Sequence, residues 1–326
     1  MRNGFFRALF DLARNDQRIQ LVVGDLGFGV VEPFMKELPA QFTNSGVAEQ
    51  NMTGIAAGLA LSGKIVFTYS IGNFPTLRCL EQIRNDVCYH QANVKVVAVG
   101  GGYAYGALGM THHATEDLAI MRALPGMTVV APGDPLEAEE ATRAVAALPG
   151  PCYLRLGRAG ETRVHQAAIN FRIGKAIVVR EGSDITFIST GGMLTTAVEV
   201  ADRLQEDGIS SRVLSMHTIQ PLDCDAIISA ARETNAIVTL EEHSINGGLG
   251  SVVAEVLADL SLHVAFKRIA LPPAFSSAIG DQEYLRSCYG LSAAAIRDSV
   301  EPVLQMAGVM DRLNPQNPQY SRRVRQ

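Results

Sequence analysis

Glu49 is the residue whose type and setting most clearly invite chemistry. It stands in Ser45-Gly46-Val47-Ala48-Glu49-Gln50-Asn51, where a short extended run at 41–44 meets an apolar, small-residue helix over 52–61. A carboxylate there has two readings. One is a charge that complements the dipole at a helix N-terminus. The other is a buried acid held for proton chemistry, with Ala56, Ala57, Gly58 and Ala60 letting another backbone close around it. The seven histidines are dispersed except for the pair His112-His113. Two glycine clusters stand nearby in kind but not in spacing. Gly100-Gly101-Gly102-Tyr103-Ala104-Tyr105-Gly106 follows a strand pattern but opens no helix. Gly247-Gly248-Leu249-Gly250 opens a helix yet has neither G-x-G-x-x-G spacing nor an acid on a following strand. Both are read as tight turns where the backbone approaches something closely, not as dinucleotide sites.

The elements that must position these residues follow from patterning. The chain has 326 residues, enough for about two domains of ~150 each. A hydrophobic content of 47% with 19% charge describes a well-packed globule. Apolar, β-branched runs at 19–23, 64–69, 94–99, 127–131, 185–189, 211–216, 236–241 and 264–269 predict strands. Helical patterns at 4–14, 80–91, 135–148, 193–207, 223–234 and 250–260 fall between them. This alternation predicts an α/β protein: two doubly wound domains with mostly parallel sheets, at 1–165 and 173–307, joined by a polar stretch at 157–173. Residues 308–326 lose the apolar pattern and read as an extended tail.

Composition also bounds function. A net charge of −5 with no basic stripe excludes nucleic acid as the expected partner. No apolar run is long enough for a membrane span, and the first residues do not open a signal peptide. Five scattered cysteines without a CxxC pair fit reduced thiols in the cytoplasm and argue against a metal site.

In order along the chain come Gly46-Val47-Ala48-Glu49-Gln50-Asn51, Phe67-Thr68-Tyr69-Ser70, Glu81-Gln82-Ile83-Arg84-Asn85-Asp86-Val87, Thr111-His112-His113 with Glu116-Asp117, Arg122-Ala123-Leu124-Pro125-Gly126-Met127 and Ala131-Pro132-Gly133-Asp134. This succession resembles the pyrimidine-binding domain of transketolase and of deoxyxylulose-phosphate synthase. The blocks Ile188-Ser189-Thr190-Gly191-Gly192, Gln220-Pro221-Leu222-Asp223 and Glu241-Glu242-His243-Ser244 resemble the transketolase C-terminal domain. The resemblance covers residues 1–308.

Transketolases also carry an N-terminal domain that holds thiamine diphosphate through a divalent metal, marked by Gly-Asp-Gly and a later Asn. Here Gly24-Asp25 runs into Leu26, Gly133-Asp134 into Pro135 and Gly280-Asp281 into Gln282. A diphosphate without its metal and ligands is a poorly compensated charge. The resemblance therefore implies the β subunit of a split transketolase. Its α subunit would hold Mg2+ or another divalent ion, and the two would form an α2β2 heterotetramer.

The resemblance also implies roles. Glu49 matches the acid that hydrogen-bonds N1′ of the cofactor's aminopyrimidine and promotes loss of the thiazolium C2 proton. Phe74 falls where an aromatic packs on the pyrimidine, with Asp25 and Gln50 as further cofactor contacts. The length of its loop differs from that of the synthase. His112 matches a histidine near the substrate's hydroxyl and carbonyl oxygens, and His113 can orient it. Arg158, Arg155 (in the synthase's Arg-x-x-Arg spacing) and Arg2 match phosphate-gripping positions, suited to the planar arginine fork. Leu108 replaces the aspartate that reads a donor hydroxyl, which implies a deoxy, shorter or altered sugar, or a rearranged loop. The implied activity is transfer of a two-carbon ketol unit between sugars. Alternatives are another thiamine-dependent carboligase, a 2-oxo acid dehydrogenase β subunit, or a catalytically silent interaction subunit.

Overall fold

Parallel strands covered on both faces are mostly apolar, and the central strands of this fold are buried along nearly their whole length. The computed structural model describes residues 1–313. Its strands are β1 (Ile19–Val23), β2 (Phe42–Asn44), β3 (Ile65–Ile71), β4 (Val94–Val99), β5 (Thr128–Val130), β6 (Cys152–Leu156), β7 (Ile177–Arg180), β8 (Ile185–Ser189), β9 (Ser211–Ser215), β10 (Thr218–Gln220), β11 (Ala236–Ser244) and β12 (Ala265–Leu271). They form a seven-stranded sheet ordered β10-β5-β6-β4-β3-β1-β2 and a five-stranded sheet ordered β12-β11-β8-β9-β7. Pairing is parallel throughout except at β10 and β7, each antiparallel on an edge. The α/β architecture of two mostly parallel sheets is thus the one expected.

The halves are knitted together more tightly than the pattern suggested. The edge strand β10 follows β9 of the second sheet in sequence, yet pairs with β5 of the first. One apolar cluster runs from Val22, Met52 and Ile83 to Ile188, Leu214 and Ile237. The polar stretch at 157–173 is pinned as well. Asp134 caps the helix Pro135–Ala147 and, through its other oxygen, accepts the N–H groups of Val164 and His165 at 2.9 and 3.0 Å. The same helix packs against Arg2–Asn15, where a Cβ at Gly4 would meet the Pro135 carbonyl at 2.7 Å.

Three strands and the helix at 80–91 depart from expectation, and the helices Glu32–Glu37, Asp117–Arg122, Gln282–Cys288 and Ala293–Met306 were not among those predicted. β6, β7 and β10 carry no long apolar run: β6 contains Arg155, and β7 and β10 have only four and three residues. The helix predicted at 80–91 is instead one α-helical turn, Leu80–Gln82, continued as a π-helix over Ile83–Cys88. The extended tail expected at 308–326 is corrected at its start, where Val309–Leu313 is helical and Val309 is buried against the second domain's core. The rest of that tail lies outside the described residues.

Candidate active site

Glu49 opens the helix Glu49–Leu61, but its side chain makes no capping bond there. The carboxylate turns inward, 2% exposed, and is gripped from two other elements. Ser70 on β3 donates to Oε1 at 3.1 Å, and Arg78 Nη1 donates to Oε2 at 2.6 Å. A Cβ at Gly24, past the end of β1, would touch this carboxylate at 3.4 Å, so the strand end stays close beside it. Of the two readings of Glu49, the structure supports the buried acid: the helix dipole alone would leave the side chain at the surface, and it is not there.

Sequence reasoning gave Arg78 no part, and it completes the cluster. Its guanidinium carbon lies 4.5 Å from the centroid of the Phe74 ring. Phe74 in turn meets the His112 ring edge-on, at 5.1 Å and 72°. Glu49, Arg78, Phe74 and His112 are therefore contiguous. Burial, then the neighbouring His113, lowers the pKa of His112, so its imidazole is neutral near neutral pH. His113 does different work: it is 4% exposed, its Nε2 lies 3.3 Å from the Gly106 carbonyl, and its ring meets Tyr103 edge-on. It fastens the loop that carries His112, which suits the orienting role expected of it.

Asp25 and Gln50 reach no part of the Glu49 carboxylate in this structure. Asp25, with φ 56, exchanges hydrogen bonds with Asn44, which also holds the Gly46 N–H and so fixes the turn before Glu49. Gln50 donates to the Arg78 carbonyl at 3.1 Å, anchoring the backbone of that arginine. Both support the cluster from one layer out.

The expected substrate residues gather elsewhere. Arg158, Leu108 and Tyr105 line a cleft of about 690 Å³ between the domains, and Glu49, Phe74 and His112 are absent from its wall. The exposed Arg158 guanidinium sits 5.3 Å over the Tyr105 ring, and the Arg158 carbonyl accepts the Arg2 N–H at 3.1 Å. The Arg2 Nε is buried and without a hydrogen-bond partner among the described residues. Leu108 is 56% exposed on the same loop as His112, and that loop is closed at its base by the Gly102–Ala114 bridge. Arg155 also lines this cleft, but its guanidinium is already engaged by the protein. Its Nε donates to Asp117 at 2.9 Å and its Nη2 to the carbonyls of Ala114 and Glu242, leaving it 5% exposed at the domain seam. Strand β6 turns Arg155 inward, whereas Arg158 lies beyond the strand's end.

The two glycine clusters prove to be close approaches to the protein's own side chains. A Cβ at Gly100 would strike the Tyr105 ring, one at Gly101 the Arg155 guanidinium, and one at Gly102 the Glu242 carboxylate. At the second cluster, the carboxylate of Glu241 accepts the Leu249 and Gly250 N–H groups at 2.7 Å each. The helix N-terminus that a phosphate would use is filled by this carboxylate.

Two linked parallel-sheet units, one of them aiming a buried carboxylate, an aromatic ring and a neutral histidine at one place, define an α/β enzyme subunit with an acid–aromatic site. Residues 1–160 match the transketolase pyrimidine-binding domain and residues 174–296 the transketolase C-terminal domain. The chain is 41% identical over 297 residues to one subunit of the apulose-4-phosphate transketolase of Phocaeicola vulgatus, covering 90% of this chain and 94% of that one. It is 38% identical to the 6-deoxy-6-sulfo-D-fructose transketolase subunit SqwH of a Clostridium species, covering 91% and 92%. A solved split-gene transketolase, an inactive beta4 tetramer, superposes with a TM-score of 0.84 at 37% identity, over 93% of this chain and 97% of that one. The chain belongs to the transketolase family.

Proposed function

We propose that the chain is the β subunit of a two-polypeptide transketolase that moves a two-carbon ketol unit between a ketose and an aldose. An α subunit supplies the thiamine diphosphate site's diphosphate-binding half and its divalent metal, in an α2β2 assembly. One observation carries this reading: a planar, N–H-bearing cation, the Arg78 guanidinium, already bonds Glu49 and lies over Phe74. The cradle thus accepts a flat, nitrogen-rich group, as an aminopyrimidine is. The inactive beta4 assembly of the split-gene relative agrees with a β chain that needs its partner.

Thiamine diphosphate, when bound, supplies a thiazolium carbon that adds to the donor carbonyl. This chain's residues hold and steer. Glu49 presents an acid that can share a proton at N1′, and Ser70 fixes its orientation. Phe74 offers the pyrimidine an apolar face worth ~0.5–1.5 kcal/mol beyond burial. Neutral His112 can give or take a proton at the substrate's oxygens. Arg158 grips a terminal phosphate, and Leu108 leaves the donor carbon it faces without a hydroxyl-reading acid, which suits a deoxy or altered sugar. The scattered cysteines suit work in the cytoplasm, in carbohydrate metabolism.

The test is reconstitution. The chain mixed with a partner bearing Gly-Asp-Gly and a later Asn, thiamine diphosphate and Mg2+ should transfer ketol units from ketose to aldose, with neither chain active alone. Turnover by this chain alone, or none by the stable complex on any ketose phosphate, would overturn the reading.

A further inference from the structure

Arg78 occupies the Glu49 oxygen and the Phe74 face that an aminopyrimidine would need. Its Nη1 donates to Glu49 Oε2 at 2.6 Å while its guanidinium carbon sits over the Phe74 ring, 4.5 Å from the centroid. With Oε1 turned to Ser70 and the acid 2% exposed, the other oxygen and the ring face admit one planar group at a time. We propose that Arg78 is a gate on the cofactor site, a positioning residue whose guanidinium competes with the aminopyrimidine and must withdraw before it can seat. This rests on the thiamine diphosphate reading given above.

The surroundings allow that motion. The Arg78 backbone is fixed, its N–H bonded to the Asn73 carbonyl and its carbonyl accepting from Gln50. The side chain is 46% exposed, so it can rotate into solvent without unpacking a core. A reason for the gate lies in Glu49 itself. A buried carboxylate without a partner is costly, and Arg78 supplies one until the cofactor does. The contact is also weak enough to lose, because a half-exposed ion pair and a cation–π contact are each modest. Gate and socket are therefore coupled: whatever draws the guanidinium outward opens the acid and the ring together.

Calorimetric titration of thiamine diphosphate, with Mg2+ present, into the assembled complex decides the matter without turnover. Removing the competitor with Arg78→Ala should tighten binding by about tenfold, the sum of two such modest contacts. Arg78→Gln keeps an amide donor but loses the charge and the stacking fork. It should tighten binding by less, and it serves if the alanine variant does not fold. Wild-type complex that binds, with neither variant binding more tightly, would overturn the gate and leave the cofactor reading standing. Failure of the folded wild-type complex and of both variants to bind would overturn the cofactor reading and the gate with it.

Discussion

Glu49 and Glu242 are both buried carboxylates paired with arginine, at 2% and 3% exposure, yet their surroundings differ. Glu242 sits at the seam between the domains. It accepts the Tyr103 N–H, both oxygens take bonds from Gln282, and Arg286 donates to it twice, with that arginine only 10% exposed. Beside it Arg155 is bonded to Asp117 and two carbonyls, and Tyr153 donates to the same Asp117 oxygen. Glu49 has one hydroxyl and one arginine, and that arginine is 46% exposed. The difference lies in saturation. A buried charge whose partners are themselves buried is a joint, while a buried charge with one exchangeable partner is a socket.

The comparison breaks first at Glu49. In the reconstituted complex, Glu49→Gln should leave assembly intact and slow exchange of the cofactor's C2 proton by ~10²–10⁴-fold, the usual worth of a general acid–base group. Exchange followed by NMR at a near-normal rate would move Glu49 into the class of Glu242. The seam should answer in stability instead. Arg286→Ala strands a buried carboxylate and should cost ~3–5 kcal/mol, read from urea unfolding, as expected when one partner of a buried pair is removed. A smaller loss would mean that the seam relaxes around the missing charge.

Arg158 sharpens the contrast at the cleft. Arg158→Ala should weaken binding of a phosphorylated sugar by ~2–5 kcal/mol if that contact is buried in the complex, and leave C2 exchange untouched. Equal losses on matched phosphorylated and unphosphorylated acceptors would remove Arg158 from phosphate recognition.

The smallest effect concerns the pinned linker, where His165 Nε2 and Glu137 Oε1 lie 2.7 Å apart. Burial is the largest single influence and opposes the charge on each, but their mutual hydrogen bond, together with the nearby charge of Asp134 on His165 and the His217 ring and Gly133 N–H on Glu137, outweighs it, raising the pKa of His165 and lowering that of Glu137. The histidine's contribution is complete below its ordinary value of 6.5 and is lost as pH rises through its raised value. The glutamate's is present above 4.5 and lost as pH falls through its lowered value. The pair should therefore stabilise most between those two values, and His165→Gln should flatten the alkaline side of a urea-midpoint profile. An unchanged profile would show the pair to be uncharged.

How far sequence carried the account follows from the range of each interaction. Strands such as β4 and β8 are fully buried and rich in Val and Ile, and were legible even though Lys95 and Thr186 fall within them. β6 was not, because its five residues include no β-branched one, and its Arg155 is held in place by Asp117, 38 positions away. β10 was hidden by its three-residue length and by its pairing with the other domain's β5. At the candidate site, Glu49, Phe74 and His112, which the structure brings together, were picked out by their place in the resemblance to the family. Arg78 was missed because its meaning depends on a carboxylate 29 positions away, reached across the fold and not along a helix or strand. The Arg-x-x-Arg spacing treated two arginines alike; both line the cleft, and only the end of β6 separates the buried one, bonded into the seam, from the exposed one.

The central claim is that this chain carries one half of a cofactor site. Calorimetric titration of thiamine diphosphate and Mg2+ into the chain alone, and then into the chain with its α partner, tests it most directly. No tight binding to the chain alone and micromolar or better affinity once the partner is present is the predicted result. Micromolar affinity for the chain by itself would contradict it.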